Sequence, residues 1–154
     1  MALLQTQRTA QTVLCASFPF NFANGDTMVN VDGKTVPFNP VTPAADSRFE
    51  IIKLPVGAVI VGVGVDIGVA ANTACYASIG TQAQPTAYLN AVALGSLTRH
   101  EATINGAQNA TAGIQSTGAN IVMSLSNTGG VSVGAGVVDV RYYMVNRATE
   151  VTGA

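Results

Sequence analysis

The chain has 154 residues, the length of one domain, and only 10% of them are charged, against roughly a quarter in ordinary soluble domains. Its net charge is −1, and its seven Lys and Arg residues are scattered between Arg8 and Arg147. That distribution excludes the basic stripe of a nucleic-acid-binding protein. The low charge fits either a surface coated with neutral polar side chains or a surface largely covered by neighbouring molecules.

The sequence indicates neither a membrane span nor a secreted protein. Asp66 and several glycines interrupt the longest apolar run, which leaves it too short to cross a bilayer. The first residues, MALLQTQRTAQT, lack a charged start followed by an apolar stretch, so we expect no secretory signal and synthesis in a reducing cytoplasm. There we expect Cys15 and Cys75 to be buried free thiols, although the sequence leaves a disulfide open.

The first third of the chain alternates short strand patterns with turn signals. Residues 1–10 are polar and predict an N-terminal arm. Strands are predicted at residues 12–18 and 48–54, turns at Asn24-Gly25 and Asp32-Gly33, and irregular, extended chain around Pro37, Pro40, Pro43 and Asp46.

The segment GAVIVGVGVDIGVA, residues 57–70, has a period of two, which predicts the strand around which the fold is organised. Its odd positions from Val59 to Val69 are all β-branched, and we expect them to form one face against the core. The other face is mostly glycine and alanine, and we expect it to allow close approach by another layer or chain. On that face, we expect Asp66 either to pair with a basic residue of an adjacent strand or neighbouring subunit or to be solvated.

The rest of the chain continues as short strands. Residues 85–94, PTAYLNAVAL, form the one segment with a helical pattern, so the sequence predicts at most one short helix. We expect an all-β, antiparallel, jelly-roll-like sandwich over residues 11–146, with extended arms at both termini. The remaining strands are predicted over residues 75–79, 98–104, 119–126 and 137–145, and residues 147–154 form the C-terminal tail.

The residue types that carry chemistry form no catalytic pattern. His100 is the only histidine, and its neighbours Arg99 and Glu101 favour an exposed polar patch over a general base. One histidine and two distant cysteines lack the spacing of a zinc site. The glycines of residues 57–70 lie along a strand rather than at a strand-to-helix junction, which excludes a phosphate loop. We expect no enzymatic activity, metal, cofactor or small-molecule substrate.

Residues 49–62, FEIIKLPVGAVIVG, resemble a segment that recurs in the head decoration, or cement, proteins of tailed bacteriophages. The strand ending at Ile79-Gly80, the Tyr88-Leu89 pair and the closing strand from Gly136 to Tyr142 are also similar, so the resemblance covers residues 48–145. It implies a jelly-roll sandwich on the outside of an icosahedral head. There it would bridge subunits of the major capsid protein as a dimer or trimer, after synthesis in the bacterial cytoplasm.

The low charge, the prolines and the polar termini indicate which segments would contact the capsid or another subunit. Two alternatives share this composition: a phage tail, baseplate or fibre component, and a carbohydrate- or receptor-binding jelly-roll module. Four Tyr, no Trp and no calcium-loop pattern weaken the second. The residues expected to contact the capsid or another subunit are Arg8, Pro37, Pro40, Pro43, Asp46, Asp66 and Arg147.

Overall fold

A computed structural model describes residues 13–38, 47–104, 120–127 and 129–144 of the chain. Nearly all regular structure in these residues is β-strand, and every strand pair is antiparallel. The strands are β1 (Leu14–Asn21), β2 (Thr27–Val29), β3 (Thr35–Pro37), β4 (Arg48–Lys53), β5 (Ala58–Val69), β6 (Cys75–Gly80), β7 (Leu89–Ala93), β8 (Arg99–Thr103), β9 (Asn120–Asn127) and β10 (Ala135–Met144).

The strands form two four-stranded sheets and one two-stranded hairpin. The first sheet has the order β1-β10-β5-β8, the second has the order β4-β9-β6-β7, and β2 pairs with β3. Along the chain, the eight strands of the two larger sheets alternate between them, except that β6 and β7 are paired neighbours in the second sheet. This is the connectivity of a jelly roll. The expected all-β antiparallel sandwich is therefore confirmed. The expected arms, residues 1–10 and 147–154, lie outside the described residues.

Side chains from both sheets meet in one hydrophobic core. The central strands supply its middle: Ile60, Val63 and Val65 come from β5, and Ile121 and Met123 come from β9, all at 0% exposure. Each fully buried side chain of this size contributes about 1.5–3 kcal/mol relative to leaving it in water. The two central strands therefore hold the sheets together.

The five phenylalanines of the chain close one side of the sandwich. Phe38, which follows β3, lies at the centre: its ring centroid is 4.9 Å from that of Phe49, 5.7 Å from that of Phe22 and 5.8 Å from that of Phe18. Phe18 belongs to β1 and Phe49 to β4, so the cluster ties the hairpin to an edge of each sheet. Aromatic pairs at these separations add about 0.5–1.5 kcal/mol beyond area burial.

The predicted hairpin turn at Asp32-Gly33 is confirmed, since it joins β2 to β3. Gly33 has a φ of +80°, in the left-handed region that glycine adopts without strain. The Asn30 side-chain oxygen accepts hydrogen bonds from the backbone N–H groups of Asp32, at 3.1 Å, and Lys34, at 2.8 Å. This side chain fixes the turn locally.

The prediction of which β5 side chains face the core is partly wrong, because β5 contains a β-bulge. Arg141 of β10 pairs with Gly62, but the next residue, Tyr142, pairs with Ile60. Val61 is left without a register partner, and one extra residue reverses the alternation of faces. Ile60 is therefore in the hydrophobic core cluster, whereas Val59 lies outside that cluster, although its side chain is also buried, at 8% exposure. Beyond the bulge the prediction is confirmed for Val63, Val65 and Ile67. It is wrong for Val69, which is 46% exposed at the end of β5.

Residues 85–94, the candidate for the one short helix that the sequence allows, do not form a helix. Leu89–Ala93 form β7, which pairs with β6. Ala91 has a φ of +49°, which no right-handed helix contains, and its N–H donates to the Ser78 hydroxyl at 2.9 Å. The open edge of β6 supplies long-range partners that outweigh a local helical pattern. In the described part of the chain Phe22–Asn24 form a short helical turn, and no helix there is long and apolar enough to cross a membrane.

Candidate interaction surfaces

Charged side chains from three neighbouring strands lie together on the outer face of the first sheet. The whole chain has only seven Lys and Arg and eight Asp and Glu, so a third of its charged residues gather on this one face. We call this group the ion-pair cluster: Asp66 of β5, Arg99 and Glu101 of β8, and Asp139 and Arg141 of β10.

The two arginines of the ion-pair cluster cross over β5 in opposite directions. Arg99 of β8 binds Asp139 of β10, with 2.9 Å between Nη2 and Oδ1. Arg141 of β10 binds Glu101 of β8. Because β5 lies between β8 and β10, each pair spans two strand spacings, about 9–10 Å. Long side chains lying flat on the sheet can bridge that span, provided that β5 leaves them room.

Gly62 and Gly64 of β5 leave that room. A Cβ at Gly62 would lie 2.5 Å from Nη2 of Arg141, and a Cβ at Gly64 would lie 2.6 Å from Nη2 of Arg99. Real Cβ atoms essentially never approach so closely. The bare face expected to admit another layer or chain is thus occupied at these two positions by the chain's own guanidinium groups.

The remaining contacts of the ion-pair cluster are looser. Asp66 lies 3.9 Å from Nη1 of Arg99, and its side chain is 61% exposed. It thus pairs with a basic residue of an adjacent strand, one of the alternatives left open by the sequence. The arginine side chains are themselves 39–40% exposed, so solvent screening limits each pair to roughly 0–1 kcal/mol. The cluster carries one net negative charge, and Asp66 is its most accessible carboxylate.

Two of the seven expected contact residues fall in the described part of the chain. Asp66 joins the ion-pair cluster, and Pro37 is exposed at the end of β3. Their role in docking stays a prediction. The other five lie outside the described residues and stay predictions as well: Arg8, Pro40, Pro43, Asp46 and Arg147.

Both terminal segments join the sandwich at the same end. Leu14, which begins β1, pairs with Tyr142 near the end of β10, so the chain enters and leaves on adjacent strands. Two valines are exposed at this end: Val13 is 54% exposed, and Val56, in the turn before β5, is 63% exposed. We call this the terminal end. Leu97, 70% exposed, precedes β8 at the opposite end.

No arrangement of reactive groups stands out among the described residues, where no group of three or more His, Cys, Asp and Glu could hold a metal ion. His100 is half-buried in β8, opposite Val65, and its buried Nε2 has no hydrogen-bond partner among the residues that the structure describes. Burial raises the pKa of the Cys75 thiol to about 11 and also raises the pKa of Tyr88. Both groups are therefore protonated at neutral pH and are not activated nucleophiles. Both cysteines are free thiols, as expected, and Cys75 is buried, but the expected burial of Cys15 is wrong because its side chain is exposed.

Comparisons with known proteins give only distant likenesses. No family model matches the chain, and no curated protein matches it significantly. Among solved structures, the chain is similar to one from the cyanophage Pam1 capsid asymmetric unit, with 18% identity and a TM-score of 0.49 over 88% of this chain and 86% of that one. Chains from two other capsids are also similar. For the acid-stable capsid of Helicobacter pylori bacteriophage KHP30 the identity is 15% and the TM-score 0.48, over 87% and 90% of the two chains. For the capsid of Ralstonia phage GP4 the identity is 14% and the TM-score 0.48, over 86% of this chain and 84% of that one. Likenesses of this size carry no functional conclusion.

Proposed function

We propose that the chain is a structural protein of a bacteriophage virion, a head decoration protein that binds the outer surface of the capsid and stabilises the lattice of the major capsid protein. One observation carries this proposal. The segment that resembles decoration proteins, residues 49–62, runs from β4 through the turn at Val56 into β5. It therefore forms the crossover between the two sheets of a jelly roll, an architecture common in viral capsids.

Such a protein would act by mass action. A molecule that binds the assembled shell but not its dissociated subunits shifts the equilibrium towards the shell. Many copies on a repeating lattice add their contributions, so each contact can be weak. The chain offers a rigid body for this purpose, because one hydrophobic core joins both sheets.

We assign docking to the terminal end. Both arms attach there, and Arg8 and Arg147 lie within those arms. Val13 and Val56 provide exposed apolar surface at the same end. Apolar groups surrounded by polar chain are typical of the centre of a protein interface. The major capsid protein is the partner in this arrangement.

Binding to expanded phage heads that lack the protein tests the proposal, with occupancy measured by co-sedimentation. The variant Val56→Asp places a carboxylate at the terminal end, and Leu97→Asp places one at the opposite end as a matched control. We expect saturable binding of the wild type and of Leu97→Asp, with an affinity at least about tenfold lower for Val56→Asp, equivalent to about 1.4 kcal/mol. Both positions are exposed, so circular dichroism should show an unchanged fold.

Other outcomes of this experiment distinguish the rival functions. If the wild-type protein does not bind heads but binds purified tails, it is a tail, baseplate or fibre component. If the wild-type protein binds neither heads nor tails but binds a carbohydrate array, it is a carbohydrate-binding module, because jelly rolls also occur in lectins. Equal loss of head binding in both Asp variants would refute docking through the terminal end while leaving the decoration role in place.

A further inference from the structure

Among the described strands, β1 is the outermost strand of the first sheet and is paired on one side only. Its eight residues run in unbroken register against β10, from the Leu14–Tyr142 pair to the Asn21–Ala135 pair. Within the described residues no strand pairs with its other side. A long edge with open backbone groups is a template for a further strand.

The other sheet edges of the described part are each protected. A bridge from Asn30 of the hairpin to Phe49 covers part of the β4 edge. β7 has only five residues and is distorted at Ala91. β8 presents the charges of Arg99 and Glu101. Short length, distortion and charge all discourage strand addition. The sequence of β1, LCASFPFN, carries no charge.

Hydrogen bonding at the end of β1 shows which backbone groups point to its open side. The N–H of Phe22, just beyond β1, donates to the carbonyl of Gly134 at 2.9 Å, which continues the ladder to β10 at an even-numbered residue. Antiparallel ladders alternate, so the odd-numbered residues of β1 direct their backbone groups outward. Pro19 falls at an outward position, as expected for a residue with no N–H. Before Pro19, the open side therefore offers the N–H and C=O groups of Cys15 and Ser17.

We propose that β1 pairs antiparallel with β1 of a second copy of this chain, which joins the two first sheets into one continuous sheet. Two identical antiparallel strands are related by a twofold axis, so the donors and acceptors of one edge meet the acceptors and donors of the other. Because β1 is uncharged, self-pairing brings no like charges together, whereas self-pairing through β8 would do so. This inference goes beyond the proposed virion role and does not depend on it.

The positions of the donors set the register. With Cys15 opposite Ser17 of the second copy, each residue exchanges its N–H and C=O with the other, and the twofold axis repeats the exchange. This register uses both outward donors that precede Pro19. Pro19 itself then lies at the margin of the ladder, and its missing N–H leaves no gap at the centre.

Disulfide cross-linking tests this register. Directly opposed, hydrogen-bonded residues have Cα atoms about 5.5 Å apart, within the range of a disulfide, whereas diagonal neighbours are about 7–8 Å apart. The wild type presents one exposed thiol, Cys15, because Cys75 is buried. The double variant C15S/S17C moves that thiol by two positions. We expect little linked dimer on mild oxidation of either protein alone and a disulfide-linked dimer when the two are mixed. Mixing the wild type with C15S/T103C, whose thiol lies on the exposed β8 edge, is the matched control and should give none.

Removing one outward donor tests the strand pairing itself. Ser17→Pro deletes the N–H that faces the second copy and leaves the ladder to β10 intact, whereas Ser17→Ala keeps the N–H. Sedimentation should show a dimer for the wild type and Ser17→Ala, and a dimer at least about tenfold weaker for Ser17→Pro. A wild type that stays monomeric, equal dimerisation of the two Ser17 variants, or cross-linking in the single-protein samples in place of the mixture would overturn the proposal. Should Ser17→Pro fail to fold, the cross-linking result decides.

Discussion

Adding a methyl group to either of two glycines in the first sheet should have very different effects on stability. At Gly64 of β5, the new Cβ would lie 2.6 Å from Nη2 of Arg99 and 2.8 Å from Oδ1 of Asp139, which are the ends of two side chains. At Gly136 of β10, it would lie 2.3 Å from the backbone oxygen of Asp66 and 2.8 Å from the ring of Phe20. The two substitutions Gly64→Ala and Gly136→Ala thus add the same atom against different kinds of neighbour.

The freedom of those neighbours to move sets the magnitude. The Arg99 side chain is 40% exposed and can swing into solvent, which sacrifices an ion pair worth roughly 0–1 kcal/mol. Alanine also restricts the unfolded chain relative to glycine, which contributes about 0.5–1 kcal/mol of stability. Gly64→Ala should therefore lie within about 1 kcal/mol of the wild type. The carbonyl of Asp66 belongs to a central strand, so Gly136→Ala must push β5 and β10 apart at a cost of about 2–3 kcal/mol.

Urea unfolding followed by far-UV circular dichroism measures both free energies of unfolding, with equal m-values as the check for two-state behaviour. We expect a midpoint near that of the wild type for Gly64→Ala and a clearly lower midpoint for Gly136→Ala, whose melting temperature should fall by about 4–12 °C. Equal losses, or a larger loss for Gly64→Ala, would refute the idea that the arginines lie as movable covers over an otherwise rigid sheet.

Three further predictions use the same unfolding assay. Phe38→Ala should cost about 3–5 kcal/mol because it removes the central ring of the phenylalanine cluster, whereas Leu97→Ala, at an exposed position, should change stability by at most about 0.5 kcal/mol. Asn72→Ala should cost about 1–3 kcal/mol, since the Asn72 side-chain oxygen accepts two backbone N–H groups of the loop before β10, each at 3.2 Å. Burial raises the pKa of Cys75 from 9.0 to about 11. As the pH rises from 9 to 11, the thiol of the unfolded chain therefore loses its proton before the thiol of the folded chain, and the free energy of unfolding falls. Between pH 8 and pH 10 the expected loss is about 1 kcal/mol. Cys75→Ala should flatten that decline, and an unchanged decline would contradict the assignment; Tyr88, whose pKa is also raised, acts at higher pH.

The parts of the fold that local patterns determine could be predicted from the sequence. The alternation beyond Val61 identifies β5 and its buried face, because a period of two leaves one choice of face once a core exists. Asp32-Gly33 identifies the hairpin because few residues tolerate the backbone of so tight a turn. The strand-rich, helix-poor pattern then leads to the antiparallel sandwich.

Features that depend on a distant partner could not be predicted in this way. The bulge at Val61 exists only in the pairing of β5 with β10, and β7 replaces the expected helix because β6 offers it a partner. The ion-pair cluster joins residues 40 positions apart, such as Arg99 and Asp139. Glycines in a strand indicate a close approach, but they do not tell whether another chain or the chain's own arginines make it.

Heat disruption of reconstituted heads tests the decoration role most directly. Expanded heads that lack the protein are saturated with it, freed of unbound copies and heated while the release of their DNA or shell fragments is followed. Binding that is specific to the assembled shell must raise the disruption temperature, and the increase should grow with the number of bound copies. Heads that take up the protein stoichiometrically and fall apart at the same temperature as bare heads would contradict a stabilising role, and heads that take up none would contradict placement on the capsid.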